Sequence, residues 1–90
     1  MSKKTVIFFK GKACPQCKNV EKIFNEATRH YKDSIEIKII DITEDIETAV
    51  KNQILSIPTI VFTKDNKEVT RVAGAVSKEK IEELIRKLDG

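Results

Sequence analysis

Cys14 and Cys17 bracket the segment Cys14-Pro15-Gln16-Cys17, and the chain has no other cysteine. Two thiols at this spacing can close a small disulfide, supply part of a metal site, or exchange electrons with a disulfide elsewhere. The flanking residues choose among these. Before the pair runs Thr5-Val6-Ile7-Phe8-Phe9, the pattern of a parallel strand buried on both faces. After it, Cys17, Val20, Phe24, Ala27 and Tyr31 recur at spacings of 3, 4, 3 and 4, which is a helical stripe. The dithiol thus falls where a strand hands over to a helix. Unpaired N–H groups and the helix dipole there favour thiolate over thiol, so the pair reads as a redox device.

The spacing makes the two cysteines unequal. Cys17 lies on the apolar stripe and should be shielded, while Cys14 occupies the exposed cap. The exposed thiolate is expected to attack a partner disulfide, and the shielded thiol to resolve the mixed disulfide. Lys10, Lys12, Lys18 and Lys22 surround the pair with only Glu21 opposing. Of these, Lys12 and Lys18, together with Pro15, are the candidates for tuning the Cys14 thiol downward. The same lysines can also be a plain solvated face. A zinc site needs two further ligands, and His30, the only histidine, is expected about 20 Å along the same helix at 1.5 Å per residue. A cluster shared between two chains is the remaining metal reading.

The rest of the chain must hold this site. Ninety residues, 40% of them hydrophobic, make one expected domain over 1–90. A net charge of +3 with no basic run longer than two residues argues against nucleic acid as the main partner. No stretch reaches membrane-spanning length, and the apolar part of the N-terminus, Val6 to Phe9, is too short for a signal peptide. A reducing cytoplasm is therefore the expected location, where such a pair is more often redox-active than structural.

Pro15 suits the first helical position, which needs no N–H. Residues 35–42 read as a second strand with an alternating start and an end buried on both faces. Thr43 is expected to cap a short second helix whose apolar face is Ile46, Ala49, Val50 and Ile54. Pro58 introduces a third strand, Thr59 to Phe62. Lys64-Asp65-Asn66-Lys67 reads as a hairpin turn into a fourth strand, about Glu68 to Ala73, broken by Gly74. Ser77 caps the last helix, with Val76 and Ile81 as a hydrophobic staple. The order is β-α-β-α-β-β-α, an α/β fold with a four-stranded mixed sheet and helices on both faces.

Strand, C-P-Q-C, Ile57-Pro58-Thr59, hairpin, Gly74-Ala75 and a last amphipathic helix together resemble the thioredoxin superfamily over essentially the whole chain. The resemblance implies a thioredoxin-like fold with Ile57–Pro58 cis and facing the cysteines. It further implies that Ile57, Pro58, Gly74 and Ala75 bind an extended substrate segment, pairing strand-like at Ile57. The C-terminal third is similar to thioredoxins; the small size and the proline after the first cysteine look like glutaredoxins. Ala13 stands where thioredoxins usually carry tryptophan. Phe8 occupies the position of their buried aspartate, and Ile37 that of the lysine paired with it. Losing both charges together leaves neither stranded, but it removes the proton acceptor for Cys17. The polar groups with which glutaredoxins hold glutathione are largely replaced by Ile57 and Gly74-Ala75-Val76-Ser77.

The combined expectation is a monomeric thiol-disulfide oxidoreductase acting on disulfide-containing proteins. It would use the Cys14–Cys17 disulfide with no bound cofactor or metal, and a flavin-containing reductase would recharge it. The alternatives are a glutathione-dependent glutaredoxin and a metal- or cluster-binding adaptor.

Overall fold

A computed structural model of the chain describes residues 2–89. Met1 and Gly90, the ends of the expected 1–90 domain, lie outside the described residues. The elements are β1 (Lys4–Lys10), α1 (Pro15–Thr28), a 3-10 turn (Arg29–Tyr31), β2 (Glu36–Asp41), α2 (Ile46–Lys51), β3 (Thr59–Lys64), β4 (Lys67–Ala73) and α3 (Lys78–Lys87). The sheet runs β2-β1-β3-β4. β1 pairs parallel with β2 and antiparallel with β3, and β3 pairs antiparallel with β4. The expected mixed sheet with helices on both faces is therefore present.

β1 is central, and Thr5 through Phe9 are all buried. Its side chains alternate between two apolar layers. Val6 and Phe8 face α1 and α3, where they join Val20, Phe24, Ala27, Ile60, Phe62, Ile81, Leu84, Ile85 and Leu88. Ile7 and Phe9 face the other way with Val61, against Ile40, Ile42, Ile54 and Ile57. Phe8 and Phe24 stack at the centre of the larger layer, their ring centroids 5.2 Å apart. Ile37 packs against the same layer, so the apolar pair Phe8 and Ile37 belongs to one core.

The hairpin and the last helix form as their residues dictate. Asp65 and Asn66 take φ of 54° and 67°, the left-handed pair that a two-residue turn between β3 and β4 needs. One extra residue, Val69, bulges β4 between the Phe62–Thr70 and Thr63–Glu68 pairs. Ser77 Oγ accepts the Lys80 N–H at 3.1 Å, capping α3, and Val76 packs on the layer that contains Ile81.

Four local expectations are corrected. Asp45, not Thr43, caps α2, accepting the Thr48 N–H at 3.1 Å. Thr43 instead turns back, its N–H bonded to Asp41 Oδ1 at 2.8 Å. A carboxylate can serve as a cap as well as a hydroxyl, and here the turn after β2 delays the helix by two residues. The apolar face of α2 is also narrower than expected: Ala49 is buried, but Ile46 and Val50 are 65% and 70% exposed. Six residues are too few to turn every apolar side chain onto the sheet. Finally, β2 is an edge strand, so its end is not buried on both faces and Ile39 remains 41% exposed. His30 sits in the 3-10 turn after α1 rather than on the helix.

Phe24→Ala should cost about 3–5 kcal/mol by leaving a cavity against Phe8. Ser77→Ala should cost only about 0.5–2 kcal/mol as a lost cap. Denaturant unfolding of both variants checks this, and a larger loss at Ser77 than at Phe24 would refute the assignment of the core.

Candidate active site

The parallel pair β1 and β2 ends at Lys10 opposite Asp41, and the Ile42 N–H bonds the Lys10 carbonyl at 2.8 Å, closing that end. The chain then leaves the sheet through Gly11, Lys12 and Ala13 and starts α1. Such crevices beyond the carboxyl ends of strands are where α/β sheets place their ligands.

Cys14 is the N-cap of α1 and Pro15 its first residue. The Cys17 N–H points at Cys14 Sγ at 3.2 Å, and the Lys18 N–H reaches the Cys14 carbonyl at 3.3 Å. No acidic residue occupies the first turn, so nothing offsets the positive end of the helix there. The two sulfurs are joined as a disulfide, with Cα atoms 5.2 Å apart. Cys17 is 2% exposed, whereas Cys14 is half-buried.

A pocket of about 590 Å³ opens over this pair, walled by residues Lys10 through Pro15, by Cys17, Lys18 and Glu21 of α1, and by Asp41. Lys12, Pro15 and Lys18 thus line one pocket with the two cysteines. Two of the lysines are already engaged: Lys10 pairs with Glu21 at 3.2 Å and Lys12 with Glu44 at 3.5 Å. Lys18 has no carboxylate within 4.0 Å among the described residues. Asp41 is held below the usual carboxylate range, chiefly by the Thr43 hydroxyl, then by the Thr43 N–H, with small help from Lys12 and Lys10 against the opposing effect of burial. A second, larger groove of about 650 Å³ lies across the sheet beside α2 and contains no thiol.

Ile57, Pro58, Gly74 and Ala75 do not wall the cysteine pocket; they form the rim next to it. The register sets Phe9 opposite Thr59 and Thr59 opposite Ala73, which brings the start of β3 and the end of β4 to the level where β1 stops. The Ile57–Pro58 peptide is cis, and the Pro58 carbonyl accepts the Gly74 N–H at 2.9 Å. Gly74 takes φ +79°, open to glycine at no steric cost. Gly11 joins the two halves: a Cβ there would run into Cδ1 of Ile57.

Several side-chain contacts that brace the site carry no signal in sequence. Thr59 Oγ1 donates to the Ser56 carbonyl at 2.7 Å, spanning the cis-proline turn. Arg71 reaches from β4 to the Asn52 and Gln53 carbonyls at 2.8 and 3.2 Å while Glu68 grips it at 2.7 and 2.6 Å. That grip lowers the Glu68 carboxyl and raises the Arg71 guanidinium. Among the described residues, no group of three or more histidine, cysteine or acidic side chains is placed to hold a metal, and no helix is long and apolar enough to cross a membrane.

The comparisons with known proteins converge on one family. The chain is 32% identical to thioredoxins of Staphylococcus aureus, strain Mu50 among them, over 74 residues that make up 82% of this chain and 71% of the relative. Its fold superposes on the germline-specific thioredoxin Deadhead of Drosophila melanogaster with a TM-score of 0.85 at 28% identity, covering 96% of this chain and 81% of that one. It superposes on thioredoxin-2 of the malaria parasite, described as a component of the parasite's protein secretion machinery, with a TM-score of 0.87 at 24% identity, covering 96% and 84%. The thioredoxin family model matches residues 1–87, and with a disulfide-bonded Cys14–Cys17 pair at the head of α1 the chain belongs to the thioredoxin family and is a thiol-disulfide oxidoreductase.

Proposed function

We propose that the chain reduces protein disulfides with Cys14 as nucleophile and Cys17 as resolving thiol. The observation that carries this is the unequal exposure of two sulfurs in one disulfide, with the less buried one at the helix cap. The Cys14 thiolate attacks one sulfur of the partner disulfide, and the other sulfur leaves with the electron pair. Cys17 then attacks Cys14 Sγ, releasing the second partner thiolate and leaving Cys14–Cys17 oxidised. Two electrons have moved from the dithiol to the substrate, and no cofactor is needed.

Docking of an extended segment is assigned to Ile57, whose backbone N–H and C=O make no backbone hydrogen bond among the described residues. Strand-like pairing there needs free groups of this kind. Pro58, Gly74 and Ala75 shape the rim beside it. A glutathione-based cycle is disfavoured by the same surface. Ala75 and Val76 are apolar, Ser77 is occupied capping α3, and the Glu44 carboxylate offsets Lys12. The electron donor we infer is a flavin-containing reductase, in the cytoplasm, acting on a monomer.

Three outcomes test this. Cys17→Ser should accumulate a stable mixed disulfide while Cys14→Ser traps nothing, and iodoacetamide should label Cys14 far faster than Cys17 in the reduced protein; equal labelling would sink the division of roles. Turnover of a protein disulfide should be efficient with a flavoprotein reductase and weak with glutathione and glutathione reductase, so parity between the two donors would move the chain to the glutaredoxin reading. Positive charge favours thiolate, so removing it raises the thiol pKa. Lys18→Gln should therefore raise the Cys14 pKa more than Lys12→Gln, whose charge Glu44 already offsets, as read from thiolate absorbance against pH.

A further inference from the structure

Resolution requires Cys17 to lose a proton, and its surroundings supply almost nothing to take it. Cys17 is 2% exposed and lies on the apolar stripe of α1 with Val20 and Phe24. The core on which Val20 and Phe24 pack, Phe8 and Ile37 among it, brings no ionisable group. The pocket itself holds two carboxylates, Glu21 and Asp41. Asp41 is engaged by Thr43, accepting both its N–H and its hydroxyl, and lies at the end of β2, whereas Glu21 shares α1 with Cys17. Glu21 stands one helical turn beyond Cys17, where residues i and i+4 share a face.

We propose that Glu21, held by Lys10, is the proton acceptor for Cys17. Lys10 is two residues beyond Phe8 on β1 and so extends toward the same face. Its Nζ sits 3.2 Å from Glu21 Oε1, and the two side chains are only 32% and 26% exposed, against 68% and 67% for the Lys12–Glu44 pair. Shielding from water strengthens the pair and fixes the carboxylate at the pocket wall. The charged groups of the site are then complete: Lys10 from β1, Lys12 from the loop, Lys18 on α1 and Asp41 from β2 all face the pocket that Glu21 lines. This arrangement places an acid–base pair beside the buried thiol without burying a charge in the core.

The step balances. In the mixed disulfide, Cys17 Sγ passes its proton to the Glu21 carboxylate, directly or through one water, and attacks Cys14 Sγ. The Cys14–substrate S–S bond breaks, the Cys14–Cys17 bond forms, and the substrate sulfur leaves with the electron pair. Glu21 then returns the proton to solvent or to the departing thiolate.

This proposal rests on the division of roles between the cysteines, so its test reads both. Reduced protein, in excess, is mixed with an aromatic disulfide whose released thiolate absorbs visible light. The native chain should release one thiolate as Cys14 attacks and a second as Cys17 resolves, whereas Cys17→Ser should release only the first. In Glu21→Gln the second release should slow by about tenfold or more between pH 6 and 7, since general-base assistance contributes roughly 10²–10⁴-fold where proton transfer is difficult and less for a thiol. The deficit should narrow as the pH rises past the ordinary thiol pKa of ~8.5, as hydroxide replaces the carboxylate as proton acceptor. Glu21→Asp, which keeps a carboxylate, should recover part of the rate at low pH. An unchanged second phase in Glu21→Gln, or a loss equal at every pH, would overturn the proton assignment alone. Two releases from Cys17→Ser would overturn the division of roles and this proposal with it.

Discussion

The pairing of β1 between β2 and β3 constrains everything else in this molecule. A strand flanked on both edges and covered on both faces can surface only at its ends, and Thr5 through Phe9 leave no exposed residue between them. The chain must therefore emerge at Lys10, where the sheet stops, and there α1 begins. The position of the disulfide follows from where β1 can no longer be buried. The antiparallel β3 starts, and β4 finishes, at the same level, so the cis-proline turn and Gly74 come to the rim from the other side of the strand.

The core on which α1 packs is apolar, and this decides how charge is distributed around the cysteines at its head. Burying an isolated carboxylate or ammonium costs several kcal/mol even after relaxation, and a buried pair often only recovers that cost. Phe8 and Phe24 avoid the question by filling the space with ring contacts 5.2 Å apart. The ionisable groups are confined to the pocket wall, where water still reaches them: Lys10 with Glu21, Lys12 with Glu44, and Asp41 with Thr43. The Cys14 thiol accordingly feels the helix end and partly compensated lysines rather than a charge below it.

Most of the fold was legible because its signals are local and redundant. The apolar run at β1, the proline at the first position of α1, Asp65-Asn66 at the hairpin and Ser77 at the start of α3 each state a backbone preference that nothing opposes. The misreadings fall where local preference was weak. Thr43 and Asp45 are both competent caps, and the choice depended on a turn around Asp41 that the sequence does not announce. Ile46 and Val50 have helical spacing, yet a six-residue helix over an edge strand has little sheet to cover. At the site, Cys14, Cys17, Lys12 and Lys18 share a short stretch of chain and were readable together. Glu44 and Arg71 lie far along the chain from their partners, and only the fold brings Glu44 to Lys12 and Arg71 to the Asn52 and Gln53 carbonyls.

Arg71 shows how the turn before the cis-proline is held when α2 is too short to pack it down. Gln53 ends α2 in a left-handed conformation at φ 55°, and the Ile54 N–H returns to the Ala49 carbonyl at 3.0 Å. The chain is thereby reversed toward Ile57, leaving Leu55 96% exposed at its crest. Apolar burial cannot fix so exposed a segment. The guanidinium of Arg71 does so instead, spanning from β4 to the Asn52 and Gln53 carbonyls while Glu68 holds its other edge. A half-exposed ion pair contributes only about 0–1 kcal/mol to stability, so the value of this arrangement lies in direction rather than strength. A planar donor fork serves four acceptors at once, which a lysine ammonium on a flexible stem cannot match. The turn that leads to Ile57 is thus aimed by β4, the same strand whose end leads to Gly74 and its bond to the Pro58 carbonyl.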